Sequence, residues 1–183
     1  MAKTPPRSFF YLILLGTILL TIALVVRSGM LARKNPGLPI NSAMREALED
    51  EGMPQLSTAD ADFIAEKYST ARRMASGLRY IVRAPGTGTA MPVAGQEVIA
   101  NYDGRLLDGT PFDSSYKRGT PFTFRVGVGD VVKGWDEAFL TMKKGEKRTL
   151  IVPYWLGYGI SGRPPTIPPR ATLVFEVELI DFR

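Results

Sequence analysis

Residues 102–135 carry two short clusters at fixed separation: Tyr102-Asp103-Gly104 leading to Phe112-Asp113-Ser114-Ser115, then Gly129-Asp130-Val131-Val132-Lys133-Gly134-Trp135. Aromatic residues recur within this stretch, and only one or two ionisable side chains are placed to point among them; the aromatic positions are 102, 112, 122, 124 and 135. Such a segment is typical of an apolar cup that holds a few polar atoms. The pattern therefore predicts a binding site without a nucleophile.

The composition excludes several catalytic and metal-binding mechanisms. The 183 residues include no cysteine and no histidine. Disulfide frameworks, thiol nucleophiles, Cys/His zinc sites, imidazole acid/base catalysis and Ser-His triads are therefore excluded. Carboxylate chemistry and carboxylate-bound metals stay open on these grounds.

The net charge of +5 has a local origin. Residues 1–34 hold five basic residues and no acidic ones, so the remaining chain has 18 of each sign; the five are Lys3, Arg7, Arg27, Arg33 and Lys34. A neutral body without a basic stripe argues against binding to a nucleic-acid backbone. We expect no nucleic-acid partner.

The N-terminal region predicts a membrane anchor. Residues 1–7 form a basic flank, and Ser8 to Val26 is an uncharged apolar run of 19 residues, long enough as a helix to cross a hydrocarbon core of about 30 Å. A cleaved secretory signal is the alternative, but the run exceeds the usual length and no small-residue cleavage site is evident. A buried core helix would need a polar face, which the stretch lacks. Basic residues flank both ends of the run, so the positive-inside rule does not predict a clear membrane orientation.

Two further segments precede the main domain. Residues 27–57 are rich in proline and glycine and are interpreted as a juxtamembrane linker. Residues 58–76 begin with Thr58 as a plausible N-cap and show near-helical apolar spacing before Gly77, which predicts a short amphipathic helix. Packing on the following domain is favoured for this helix over dimerisation because it is short.

From residue 77 the apolar period changes to two. Alternation around residues 78–82, 98–103, 122–126, 147–153 and 172–182 predicts strands, and one helical stretch over residues 131–142 interrupts them. We therefore expect an α+β fold in which an antiparallel sheet wraps around one short α-helix.

Seven short motifs, in order, resemble the FKBP family of peptidyl-prolyl cis-trans isomerases. They are Leu107-Asp108-Gly109, Phe112-Asp113-Ser114-Ser115, Pro121-Phe122-Thr123-Phe124, the stretch Val131 to Glu137, Gly157-Tyr158-Gly159, Ile167-Pro168-Pro169 and the stretch Ala171 to Leu179. The resemblance covers residues 77–183 and implies an FKBP-like domain there. Residues 75–80 look like the start of the catalytic domain in bacterial, envelope-located members.

The resemblance also implies roles for individual residues. It implies catalytic positions at Tyr102, Phe112, Asp113, Val132, Trp135 and Tyr158, and substrate-binding positions at Phe122, Val131, Ile167 and Phe175. Trp135 would form the floor of the pocket, and the Val132 backbone N–H would donate to a substrate carbonyl. No cofactor or metal is implied.

Two positions call for comment beyond the motifs. An acid directly after Phe112 would be costly to bury unpaired, and Arg118 is its nearest partner in the sequence. We therefore predict that Arg118 pairs with Asp113, and we include it among the substrate-binding positions. Tyr154-Trp155 and Thr166 depart from the family pattern. The resemblance therefore does not determine which residue the rim of the pocket prefers before proline. We expect Trp155 to be partly exposed and to extend the substrate surface.

The resemblance implies a prolyl isomerase that acts on proline-containing unfolded or newly translocated proteins. Rotation about an Xaa-Pro amide makes and breaks no covalent bond, so an apolar aromatic pocket suffices. We expect a single-pass protein of a bacterial inner membrane, with a periplasmic catalytic domain and with possible binding of macrolide inhibitors such as tacrolimus. The alternative is a membrane-tethered chaperone or interaction module with the same fold and little turnover.

Overall fold

The structure is a computed structural model that describes residues 54–183. The predicted basic flank at 1–7, the anchor at 8–26 and most of the linker at 27–57 lie outside the described residues. Within residues 54–183, no helix is both long and apolar enough to cross a bilayer.

The described chain contains three α-helices, seven strands and one 3₁₀ turn. In chain order they are α1 (Thr58–Lys67), β1 (Arg72–Arg73), β2 (Arg79–Ala84), β3 (Glu97–Leu106), β4 (Pro111–Ser114), α2 (Ser115–Arg118), β5 (Phe122–Arg125), α3 (Lys133–Phe139), β6 (Lys147–Val152), the 3₁₀ turn (Tyr154–Leu156) and β7 (Leu173–Phe182). The predicted strands are all present, and their ends differ from the prediction by a few residues.

The strands form one antiparallel sheet in the order β1-β2-β6-β7-β3-β4. The strand β3 pairs with β7 along one edge, and its other edge is shared by β4 and β5. Its residues alternate between half-buried and buried, so that Val98, Ala100 and Tyr102 enter the core. Because β4 and β5 both pair with β3, their aromatic side chains are brought close to Tyr102.

The helix α3 packs its buried face against the sheet, and this confirms the predicted α+β arrangement. Gly134 lies so close to β6 that a Cβ atom there would come within 2.7 Å of Val152 Cγ1. The helix is shorter than predicted. Val132 has an extended conformation and acts as the N-cap, and after Leu140 the chain turns so that Met142 still reaches the core.

The helix predicted over residues 58–76 is correct only in its first half. Its N-cap is Ser57 rather than Thr58, and the helix ends at Lys67. Arg72 and Arg73 then form the edge strand β1, since backbone pairing with β2 satisfies the polar groups that a longer helix would have used. The helix packs on the domain, as expected: Ile64 is buried, and Thr172 donates a 2.6 Å hydrogen bond to the Asp60 carboxylate.

Candidate functional site

A cavity of about 600 Å³ opens between the sheet and the start of α3. Nine of the eleven predicted site residues line it: Tyr102, Phe112, Asp113, Phe122, Val131, Val132, Trp135, Tyr158 and Phe175. They come from β3, β4, β5, β7, the turn before α3, α3 itself and the loop after the 3₁₀ turn. The fold thus brings together residues that are up to 73 positions apart, counted from Tyr102 to Phe175.

Trp135 is almost fully buried, with 4% of its surface exposed, and the rings of Tyr102 and Phe175 contact it edge-on. Its ring centroid lies 4.9 Å from that of Tyr102 and 5.2 Å from that of Phe175. Such edge-to-face pairs stabilise the arrangement of the rings beyond simple burial. The indole N–H has no hydrogen-bond acceptor within the described residues. The base of the cavity is consequently aromatic and poor in polar partners.

Asp113 is held by a small hydrogen-bond network at the side of the cavity. The Tyr102 hydroxyl donates to Asp113 Oδ2, and Arg118 forms an ion pair with Asp113 Oδ1. The Ser114 backbone N–H donates to the same Oδ1 atom over 2.8 Å, and Arg118 Nη2 donates to the Tyr102 hydroxyl over 2.8 Å. The pairing of Asp113 with Arg118 is therefore present, as expected from their spacing in the sequence.

This network fixes the protonation states of its members. Burial raises the pKa of Asp113, but hydrogen bonds from Tyr102 and Ser114 and the charge of Arg118 outweigh it, so the net pKa is below the ordinary value. Burial, and next the hydrogen bond to Asp113, raise the pKa of the Tyr102 phenol. At neutral pH the site therefore holds an ionised carboxylate and a neutral phenol.

Two predicted substrate-binding residues do not line the cavity. Ile167 is buried, with only 3% of its surface exposed, and it belongs to the hydrophobic core. Arg118 is exposed and lies beside the cavity, where it contacts Asp113 and Tyr102. It therefore acts on the cavity through those two residues rather than as part of its wall.

Trp155 is partly exposed, as expected, but it is not among the residues that line the cavity. Its ring is half-buried, and its indole N–H donates a 2.9 Å hydrogen bond to the Ser76 carbonyl. The ring lies over Gly77, where a Cβ atom would come within 2.8 Å of it. Trp155 thus fastens the segment before β2 to the domain, and only a residue without a side chain fits beneath it.

Asp136 is a positioning residue that the sequence pattern does not single out. Its carboxylate accepts hydrogen bonds from the backbone N–H groups of Gly127 and Gly129, over 2.7 and 3.0 Å. These bonds hold the turn that leads to Val131 and Val132 against the first turn of α3. The position of Asp136 directly after Trp135 was a signal that could have pointed to the site, but sequence spacing does not reveal which groups a side chain contacts.

Three charged residues of the lining were also missed: Asp130, Lys133 and Arg163. No sequence pattern singles out Arg163, which follows a glycine and precedes two prolines. Within residues 54–183 no cluster of carboxylates is arranged to hold a metal ion.

Comparison with known proteins gives a consistent result. The profile of the FKBP-type peptidyl-prolyl cis-trans isomerase family matches residues 88–180, which is about half of the chain. FK506-binding protein 1 of Dictyostelium discoideum is 49% identical over 107 residues, which are 58% of this chain and 99% of that protein. This chain belongs to the FKBP-type peptidyl-prolyl cis-trans isomerase family.

Other relatives are similar over the same region. Human peptidyl-prolyl cis-trans isomerase FKBP4 is 50% identical over 107 residues, 58% of this chain and 23% of that protein. The chain thus spans about a quarter of the length of that longer relative. An FK506-binding protein of Neisseria meningitidis serogroup C is 54% identical over 88 residues, 48% of this chain and 81% of that protein. The crystal structure of AtFKBP13 superposes with a TM-score of 0.59 at 41% identity, covering 62% of this chain and 98% of that one.

Proposed function

We propose that this protein accelerates cis-trans rotation about Xaa-Pro amides in unfolded or newly translocated proteins. The observation that carries the proposal is the cavity itself, in which Tyr102, Trp135 and Phe175 surround a space of about 600 Å³. That volume is within the range of small-ligand pockets and accommodates a prolyl ring with its flanking amides. The family assignment, and relatives named as peptidyl-prolyl cis-trans isomerases, support the same activity.

The aromatic base of the cavity supplies the main rate effect. An Xaa-Pro amide rotates across a barrier of about 18–20 kcal/mol that arises from the double-bond character of its C–N bond. At the twisted transition state the amide has lost its resonance and much of its charge separation. An apolar wall therefore binds the twisted form better than the planar form, which water solvates well. The aromatic rings of Tyr102, Trp135 and Phe175 offer the planar amide little to replace that water.

The polar groups of the cavity orient the peptide. The Val132 backbone N–H and the Tyr158 hydroxyl are available donors at the lining, and we assign them to the carbonyls that flank the proline. Fixing the flanking carbonyls lets the prolyl bond rotate without moving the rest of the chain. Asp113 keeps the Tyr102 ring in place, and the ion pair that it forms with Arg118 polarises the side of the site.

We also propose where the protein works. The apolar run at 8–26 would anchor it as a single-pass protein in a bacterial inner membrane, with the catalytic domain in the periplasm, where newly translocated chains fold. Macrolides such as tacrolimus would occupy the same cavity. The relatives that are named FK506-binding proteins support this second point.

A peptide assay separates the enzyme from a tethered chaperone with the same fold. The rate of cis-trans exchange of an Xaa-Pro peptide is measured by protease coupling, and binding of an unfolded proline-rich protein is measured in parallel. If the protein is an isomerase, exchange should be faster than the uncatalysed rate, and tacrolimus should inhibit this acceleration. Binding of the unfolded protein with exchange at the uncatalysed rate would select the chaperone reading.

A further inference from the structure

We propose that Arg163 gives the cavity a preference for prolyl segments that carry an acidic side chain next to the proline. This proposal rests on the function proposed above and names the substrate class that the same cavity selects.

Arg163 forms part of the cavity wall beside Tyr158. Its guanidinium carbon lies 5.9 Å from the centroid of the Tyr158 ring, and both side chains belong to the lining. Its side chain makes no ion pair within residues 54–183. A cation at the mouth of a peptide-binding cavity, with no carboxylate of its own, is available to a carboxylate of the substrate.

The backbone that carries Arg163 is held in one place. The Arg163 N–H donates to the Ile167 carbonyl over 2.8 Å, and the Ile167 N–H donates back over 2.9 Å. Ile167 is itself part of the buried core. Gly162 has a φ of 66°, and a Cβ atom there would come within 2.2 Å of the Pro168 carbonyl oxygen, so the turn closes tightly. A charge presented from a fixed backbone costs less conformational entropy on binding than one on a loose loop.

The other charges of the lining largely balance one another. Asp113 is paired with Arg118. Asp130 and Lys133 lie three positions apart in the same segment and have opposite signs. With Arg118 counted beside the lining, three cations and two acids surround the cavity, which leaves one net positive charge, and Arg163 is the cation that lies beside Tyr158.

The expected size of the effect follows from the exposure of the site. Pairing between exposed groups changes affinity by only roughly two- to fivefold, and it weakens as salt screens the charges. We therefore expect kcat/KM for a peptide with Glu next to proline to exceed that for the Gln peptide by about this factor at low salt. The difference should shrink at 1 M salt, where the Debye length is about 3 Å.

The test uses two pairs of peptides, with Glu or Gln placed before the proline in one pair and after it in the other. Native protein is compared with R163Q and with the matched control R170Q. Arg170 also stands over a tyrosine, 5.9 Å from the Tyr154 centroid, but neither residue of that pair lines the cavity. Both variants lose one positive charge, so a preference that depends on total charge would fall equally in the two.

The proposal predicts a Glu-over-Gln preference in at least one peptide pair, its loss in R163Q and its retention in R170Q. A ratio of one in both pairs, or a preference that persists in R163Q, would overturn it. The Gln peptides report the proposed isomerase activity separately. If folded protein does not isomerise them, the proposed function fails, and the Glu-to-Gln affinity ratio from calorimetry still decides the role of Arg163.

Discussion

The hydroxyl of Tyr102 on β3 donates a hydrogen bond to the carboxylate of Asp113 on β4, and Arg118 contacts both. This contact joins two adjacent strands at the side of the cavity. It keeps the Tyr102 ring edge-on to Trp135 and leaves the carboxylate ionised. The site therefore depends on a polar network that is placed beside, and not beneath, its aromatic base.

The lowered pKa of Asp113 makes a prediction about acid stability. A group whose pKa is lower in the folded state stabilises the protein above its unfolded pKa, which is about 3.9 for aspartate, and this stabilisation is lost as the pH falls through the folded value. The free energy of unfolding of native protein should therefore fall more steeply than that of D113N below about pH 4. Denaturant unfolding at a series of pH values measures this. Parallel pH profiles for the two proteins would contradict the stabilising role of the carboxylate.

Removing the Tyr158 hydroxyl should reduce activity and leave stability unchanged. The hydroxyl makes no hydrogen bond within the described residues, so its loss breaks no internal contact. We expect Y158F to lower kcat/KM by roughly twofold to tenfold, the range for one neutral hydrogen bond to substrate. The matched control is Y154F, since Tyr154 lies four residues earlier and does not line the cavity. Equal activities for Y158F and native protein would remove the assigned role.

Asp136 should matter through the turn that it holds. D136A removes the acceptor of the Gly127 and Gly129 N–H groups, so the turn that carries Val131 and Val132 should loosen. We expect a several-fold loss of kcat/KM with a modest loss of stability, on the order of 1 kcal/mol. The neighbouring change E137Q should have little effect, because Glu137 makes no ion pair in the described chain. Faster amide exchange at Gly127 and Gly129 in D136A would confirm the cause, and unchanged exchange would contradict it.

The helix α1 should stabilise the domain without taking part in catalysis. Ile64 is its buried residue, with 3% of its surface exposed, and it does not belong to the core cluster that supports the cavity. I64A should cost about 2–4 kcal/mol of unfolding free energy while kcat/KM stays close to the native value. Chemical denaturation measures the unfolding free energy, and the peptide assay measures kcat/KM. Both are run at a temperature where native protein and I64A are folded. A parallel loss of activity would show that α1 acts on the cavity.

The strands, the helix α3 and the aromatic cavity were predictable because alternating and helical apolar patterns extend over enough residues to be recognised. Pro111–Ser114 and Ser115–Arg118 were missed because four residues are too few to show a period. The second half of the predicted helix 58–76 failed since pairing of Arg72 and Arg73 with β2 is a tertiary effect that local spacing does not encode. The place of Arg163 beside Tyr158 depends on a turn that pairs with Ile167, and Ile167 is held in the buried core by tertiary packing that the local sequence pattern does not indicate.

The most direct test is exchange spectroscopy by nuclear magnetic resonance on a prolyl peptide with catalytic amounts of protein. Uncatalysed exchange takes tens to hundreds of seconds, so cross-peaks between cis and trans forms at shorter mixing times report catalysis. Phe139 is the matched control for Trp135, because it lies one turn further along α3, 5.4 Å from the Trp135 ring, and does not line the cavity. We expect exchange cross-peaks with native protein and with F139L, and their loss with W135L. Exchange at the uncatalysed rate with folded native protein, or full activity in W135L, would contradict this expectation.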